Sequence, residues 1–120
     1  MSQQYVEIEL DGKTRLLRFD FNTVSELEER LGKGIIGVLT KEQVGFNMTR
    51  ALYWAGLKGK DRGLTIERTG QMLQKEVEKG KSLNDLMEPV VNALMKSGLL
   101  GKVDDEDTEE DEEEKNVSPA

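Results

Sequence analysis

Residues 6–21 carry an alternating apolar pattern interrupted by a single Asp-Gly pair. Val6, Ile8 and Leu10 alternate with Glu7 and Glu9, the two-residue period of a strand with one buried face. Asp11-Gly12 follows, a strong hairpin signal because Gly tolerates positive φ and Asp visits it. A second run, Thr14 to Phe21, continues the alternation through Leu17, Phe19 and Phe21. Folding about Asp11-Gly12 sets Val6 opposite Leu17 and gathers the apolar residues of both strands on one face. Phe19 and Phe21 are expected in the core. Arg18 falls on the other face with Glu7 and Glu9, where cross-strand pairing is expected. Two strands alone are marginal in water, so the shared face must be covered, and only helices remain to cover it.

The rest of the sequence supplies about four helices. Thr23-Val24-Ser25-Glu26 fits a capping box, with Val24, Leu27 and Leu31 spaced for one face and Gly32 placed as a C-cap. Residues 33–40 are apolar but broken by Gly, and are expected to form a connector with one helical turn tucked against the core. Thr40-Lys41-Glu42-Gln43 reads as a second capping box, opening a helix through Val44, Met48, Ala51, Leu52 and Ala55 that ends near Gly56 to Gly59. Thr65 is the expected N-cap of a third helix with Ile66, Gly70, Leu73 and Val77 along one side and Gly80 at its end. Ser82 is the expected N-cap of the last helix, with Asp85 favourable in the first turn. That helix has the cleanest stripe, formed by Leu83, Leu86, Met87, Val90, Val91, Leu94 and Met95, and closes at Ser97-Gly98. Pro89 predicts a kink inside it or a start closer to Glu88. Strands first and helices after is the order of an α+β fold: a two-stranded antiparallel hairpin packed on a bundle of about four helices.

Charge divides the chain in two. The net charge over 120 residues is −7, yet residues 103–120 hold ten acids and one base, Lys115. The other 102 residues carry 14 acids against 16 bases. The expected organisation is a near-neutral domain, 1–102, followed by a disordered acidic tail, 103–120, because a run of like charges without apolar anchors cannot offset the entropy of ordering. The tail reads as a solubilising appendage or as an electrostatic lure for a basic partner or a competitor for nucleic-acid sites. It lacks the Asp-x-Asp-x-Asp-Gly spacing of a tight calcium loop.

Composition excludes several chemistries. With no Cys there is no disulfide framework, thiolate zinc site or cysteine nucleophile, and with no His the commonest general base and metal ligand are missing. Ser25 and Thr49 therefore lack an evident base, and no carboxylate pair suggests an acid/base dyad. Lys58-Gly59-Lys60-Asp61-Arg62 is a small basic loop; a phosphate contact there is conceivable, but the glycines do not match a phosphate-binding loop and a solvated loop is the simpler reading. No apolar run is long enough to span a membrane, and Met1–Tyr5 lacks the basic and apolar parts of a signal peptide. The expectation is a soluble cytoplasmic protein that is not an enzyme, needs no cofactor or metal, and binds neither membrane nor nucleic acid.

Two groups stand out as partner-binding candidates. Tyr53, Trp54 and Leu57 make an aromatic helix end, read either as core or as an anchor for a partner. The last helix offers Leu86, Met87, Val90, Val91, Leu94 and Met95, more apolar surface than a hairpin and three modest helices need. Part of it is core, and part is a candidate ridge or groove, since Met is adaptable at such surfaces.

The order of these features is similar to that of tail assembly chaperones of long-tailed phages, prophages and gene transfer agents. The resemblance covers roughly residues 5–97. It rests on Val-Glu-Ile-Glu-Leu-Asp-Gly-Lys (6–13), Leu-x-Phe-x-Phe-Asn (17–22), Glu-Leu-Glu-Glu (26–29), Ala-Leu-Tyr-Trp-Ala-Gly-Leu (51–57) and Leu-Thr-Ile-Glu (64–67). Trp54-Ala55-Gly56-Leu57 is the most specific part; the acid run after Lys102 is not shared. The resemblance implies a non-enzymatic role in the cytoplasm of a bacterial host. Such a protein coats the tape measure protein, keeps it soluble, helps recruit tail tube subunits and leaves before the virion is complete, with self-association along the client. The rivals are an acidic decoy that mimics nucleic acid and inhibits a DNA-binding protein, and a minor structural component of the tail.

Overall fold

The structure, a computed structural model, describes residues 4–41 and 44–101. The expected acidic tail therefore lies outside the described residues, as do Glu42 and Gln43 of the expected second capping box. The chain is α+β. Strands β1 (Tyr5–Leu10) and β2 (Lys13–Arg18) form the hairpin. Helices α1 (Phe21–Leu31), α2 (Ile35–Lys41), α3 (Phe46–Leu57), α4 (Ile66–Glu78) and α5 (Leu83–Ser97) follow. Among the described residues no helix is long and apolar enough to cross a membrane.

The hairpin register matches the alternation, with Val6 opposite Leu17. Asp11 and Gly12 both have positive φ, 54° and 81°, as a two-residue type I′ turn demands. The Asp11 carboxylate holds the turn against α4, accepting from Lys75 Nζ at 2.8 Å and from Arg68. Register also places Arg15 opposite Ile8, on the apolar face. There its guanidinium pairs with Asp61 and donates to the Leu10 carbonyl at 2.9 Å, so the inward charge is satisfied. Arg18 pairs with Asp20 rather than with Glu7 or Glu9.

The second strand stops at Arg18, and only Phe19 of the expected phenylalanine pair is core. Asp20 breaks the alternation and caps α1, its carboxylate accepting from the Thr23 amide at 2.8 Å. The cap is thus Asp20 and not Thr23. A carboxylate at a helix N-terminus satisfies a free amide and favours the helix dipole. Starting three residues earlier turns Phe21 outward, where it is 76% exposed, while Leu27 is buried and Val24 and Leu31 pack against the core. Gly32 closes α1 with φ 75°.

The connector after it is a seven-residue helix, α2, with Ile35 and Val38 buried. Thr40 lies inside α2 and donates to the Ile36 carbonyl, so it does not cap the next helix. That helix, α3, begins at Phe46 behind Gly45, leaving Val44 outside it. Thr65 caps α4 as its sequence predicts. The buried side of α4, however, is Thr69, Met72, Leu73 and Glu76, and Val77 is exposed. Ser82 and Asp85 form a reciprocal capping box, so α5 starts at Leu83 and carries Pro89 inside it rather than starting near Glu88. Gly98 closes α5 with φ 81°.

One hydrophobic cluster joins both strands and all five helices. Helices α3 and α5 cover the hairpin, α1 and α4 pack against α3, and β1 also touches α4. Gly56, inside α3, lies close against the side chains of Leu17 and Phe19.

Candidate functional site

Helix α5 has a wider apolar arc than the core can cover. Leu86, Val90, Ala93 and Leu94 are buried. The neighbouring row at four-residue spacing, Leu83, Met87, Val91 and Met95, turns progressively outward. Leu83 and Met87 are half-buried, whereas Val91 is 38% and Met95 43% exposed. Beside Leu83, Met87 and Val91 lies a groove of about 620 Å³, lined also by Leu39, Val44, Leu94 and Leu100.

Two smaller concavities adjoin it. Leu83 also lines a hollow of about 380 Å³ with Phe46, Leu73 and Val77. Leu94 and Leu100 also line one of about 180 Å³ with Phe21, Val24 and Ile36. The three meet at shared residues and form one apolar band. Among the described residues, the large apolar side chains left exposed are Phe21, Ile36, Phe46, Val77, Val91, Met95 and Leu100. Six line the band, and Met95 lies one turn beyond Val91.

The aromatic candidates lie elsewhere. Tyr53 is buried, and its hydroxyl donates to the Leu86 carbonyl at 2.6 Å. Burial pushes its phenol well above the usual range, with the Glu76 carboxylate adding to the effect. Leu57 is buried against the hairpin. Trp54 is half-buried, donates to the Leu64 carbonyl at 2.9 Å and stacks with Arg30 and Lys58 at 4.9 and 4.6 Å from its ring centre. Its polar group and ring faces are already engaged within the domain.

Of the nine partner-binding candidates, Tyr53, Leu57, Leu86, Val90 and Leu94 are core, and Trp54 sits off the band. Met87 and Val91 are brought together on it, and Met95 lies exposed one turn beyond. The band also recruits Leu39, Val44 and Leu100, which were not among those candidates; the four-residue row from Leu83 was the available signal. The basic loop is partly committed inward, since Lys58 pairs with Glu26 and Asp61 with Arg15.

Two charged clusters complete the surface. Burial works to raise the pKa of Glu76, but hydrogen bonds from Lys81 and Lys79, both at 3.2 Å, hold its carboxyl below the usual range. Asp11 is held low chiefly by its hydrogen bond from Lys75. Each carboxylate is matched by lysine or arginine, as expected of structural ion pairs. Among the described residues no group of three or more acids is placed to hold a metal ion. No family model matches this chain, and no curated protein and no solved structure matches it.

Proposed function

We propose that this protein is a non-enzymatic tail assembly chaperone that binds the tape measure protein of a long-tailed phage, keeps it soluble and helps recruit tail tube subunits. The observation that carries the proposal is the continuous apolar band centred on Leu83, Met87 and Val91. A tape measure protein is long and helical, and its apolar stripes aggregate unless covered. A groove beside a helical ridge accepts such a stripe in the helix-in-groove mode. The flexible Met87 at its centre adapts to successive stripes of different sequence.

The magnitudes suit a temporary partner. Fully burying a Val, Leu or Met side chain contributes about 1.5–3 kcal/mol, and these side chains are already partly covered. Association itself costs roughly 4–15 kcal/mol. One domain on one client helix therefore binds weakly, and stable coating needs many copies along the client, with release once tube subunits compete. Self-association along the client would serve the same end.

The test is co-expression with the adjacent tape measure protein in bacterial cytoplasm. Co-purification and a higher soluble yield of the client support the proposal. Absence of both rejects it.

A further inference from the structure

The hollow shared by α3, α4 and α5 is apolar except at one place. Its lining includes the exposed Phe46 and Val77, the half-buried Leu83 and the buried Leu73. Arg50 is the charged residue that lines it, and no carboxylate is present among the described residues of that lining. Arg15, Arg18 and Arg68 each pair with a carboxylate. Arg50 differs. Among the described residues it makes one hydrogen bond, donating from Nη2 to Asn47 Oδ1 at 3.1 Å, and no ion pair. A guanidinium carries several N–H donors in a fixed fork, so most of them stay available. Gly70 of α4 makes room for this side chain. A Cβ on Gly70 would meet Arg50 Cδ at 3.1 Å, and its φ lies outside the left-handed region. The small residue therefore serves the close approach of the arginine and not the backbone.

An apolar hollow with one uncompensated cation selects an occupant with both properties. A small free anion would satisfy Arg50 and leave Phe46 and Val77 uncovered. A purely apolar stripe would cover them, but it would strip water from a guanidinium without supplying a counter-charge, which costs free energy. An apolar side chain with a carboxylate beside it does both. Phe46 and Arg50 stand one turn apart on α3, with Cβ atoms about 5–6 Å apart. Residues one turn apart on a partner helix have the same spacing. The planar guanidinium also matches a carboxylate, which can accept from it in bidentate fashion.

We infer that this hollow takes an amphipathic helix of a partner protein that carries an Asp or Glu one turn from a large apolar side chain. The apolar side chain lies against Phe46, Val77 and Leu83, and the carboxylate accepts from Arg50. The inference deepens the chaperone proposal and rests on it for the helical form of the occupant. Apolar contact supplies the packing. Arg50 sets the register, because a stripe shifted along the hollow would cover the guanidinium without a counter-charge.

The test uses the full-length protein and helical peptides of about 18 residues, long enough to hold a helix. They share one leucine stripe and differ at a single position one turn from a central Leu, which is Glu, Gln or Lys. Comparing peptides on the wild type and on variants cancels the long-range field of the rest of the chain. Arg50→Gln should lower the Glu-to-Gln affinity ratio about tenfold, the worth of a hydrogen-bonded charge. It should change binding of the Gln peptide by no more than about twofold, as expected of a surface substitution. Arg50→Glu should reverse the preference and favour the Lys peptide over the Glu peptide. Phe46→Asn and Val77→Asn, both at exposed positions, should each weaken all three peptides severalfold while keeping the Glu-to-Gln ratio.

A Glu-to-Gln ratio that does not depend on Arg50 overturns the inference. Unchanged binding by both Phe46→Asn and Val77→Asn also overturns it, because the peptide would then sit outside the hollow. A dimer in sedimentation equilibrium that Arg50→Gln separates would assign the hollow to a second copy and likewise overturns it. The peptides contain no tape measure sequence, so the two proposals fail separately. Tape measure co-purification with a ratio independent of Arg50 rejects only the carboxylate recognition. A ratio that depends on Arg50 without co-purification rejects only the tail-assembly role.

Discussion

Gly56 of α3 faces Leu17 of β2 at a separation that leaves no room for a side chain. A methyl group on its Cα would come within 2.7 Å of Leu17 Cδ2 and 2.9 Å of Phe19 Cζ. Its φ lies outside the left-handed region, so the position needs Gly for space and not for backbone freedom. The sequence places Gly56 near a helix end, and it does lie in the last turn of α3, where it packs against Leu17 and Phe19.

Gly56→Ala should therefore destabilise the domain by about 1–3 kcal/mol, the usual cost of overpacking, despite the better helix propensity of Ala. Thermal or urea unfolding measures it. Combining it with Leu17→Ala should cost less than the two single changes together, because the second opens the space that the first needs. An additive pair would place the strain elsewhere.

The start of α1 gives a second prediction. Asp20→Ala removes the acceptor for the Thr23 amide and should cost about 0.5–2 kcal/mol. Thr23→Ala should cost less, since Thr23 contributes its backbone amide to the cap. Equal losses, or a larger loss for Thr23, would return the cap to the position its sequence suggests.

Acid should unfold the domain through four carboxylates. Asp11 is held low first by its bond from Lys75, Asp20 by the Thr23 amide and Asp85 by the Ser82 amide. Glu76 is held low by Lys81 and Lys79 against the opposing effect of burial. Each binds a proton less readily folded than unfolded, so its contribution is complete above the unfolded values, about 4, and is lost as pH falls through the folded ones. Urea midpoints should stay nearly flat from about pH 7 to 5 and fall steeply below about 4. Asp11→Asn and Glu76→Gln should each flatten that fall. Stability that rises below pH 4 would contradict these pairings.

Binding and stability should separate by burial. Val91→Asn and Met95→Gln change exposed side chains and should alter stability by no more than about 0.5 kcal/mol, yet reduce recovery of the co-expressed client severalfold. Leu57→Ala and Leu94→Ala empty core positions and should cost about 2–5 kcal/mol. Trp54→Ala should leave client recovery near normal in the fraction that folds. Loss of the client by Trp54→Ala alone, with Val91→Asn unaffected, would move the binding surface to the surroundings of Trp54.

Much of this fold is legible in the chain. The pairing of Val6 with Leu17 follows from alternation and from a two-residue turn that Asp-Gly makes easily. The caps at Thr65 and Ser82 and the stops at Gly32 and Gly98 follow from which residues satisfy free amides or accept positive φ. These are local matters, decided within a few residues by hydrogen bonding and backbone sterics. At the start of α1 the cap is Asp20, which no capping pattern singled out, and Thr40 lies inside α2 beside the buried Ile35 and Val38.

The candidate surface was less legible for a different reason. Along α5 the sequence determined a broad apolar stripe but not which half would be covered. Burial depends on the footprint of the elements packed against it, and those come from distant parts of the chain. Helix α3 and the hairpin pack against α5, on which Leu86, Val90 and Leu94 are buried while Val91 and Met95 stay in the open. Periodicity alone thus determined a hairpin, its register and an amphipathic last helix. Only tertiary packing decided that the exposed remainder of that helix would join Leu39, Val44 and Leu100 in one apolar groove, because no local pattern records how wide a neighbour will be.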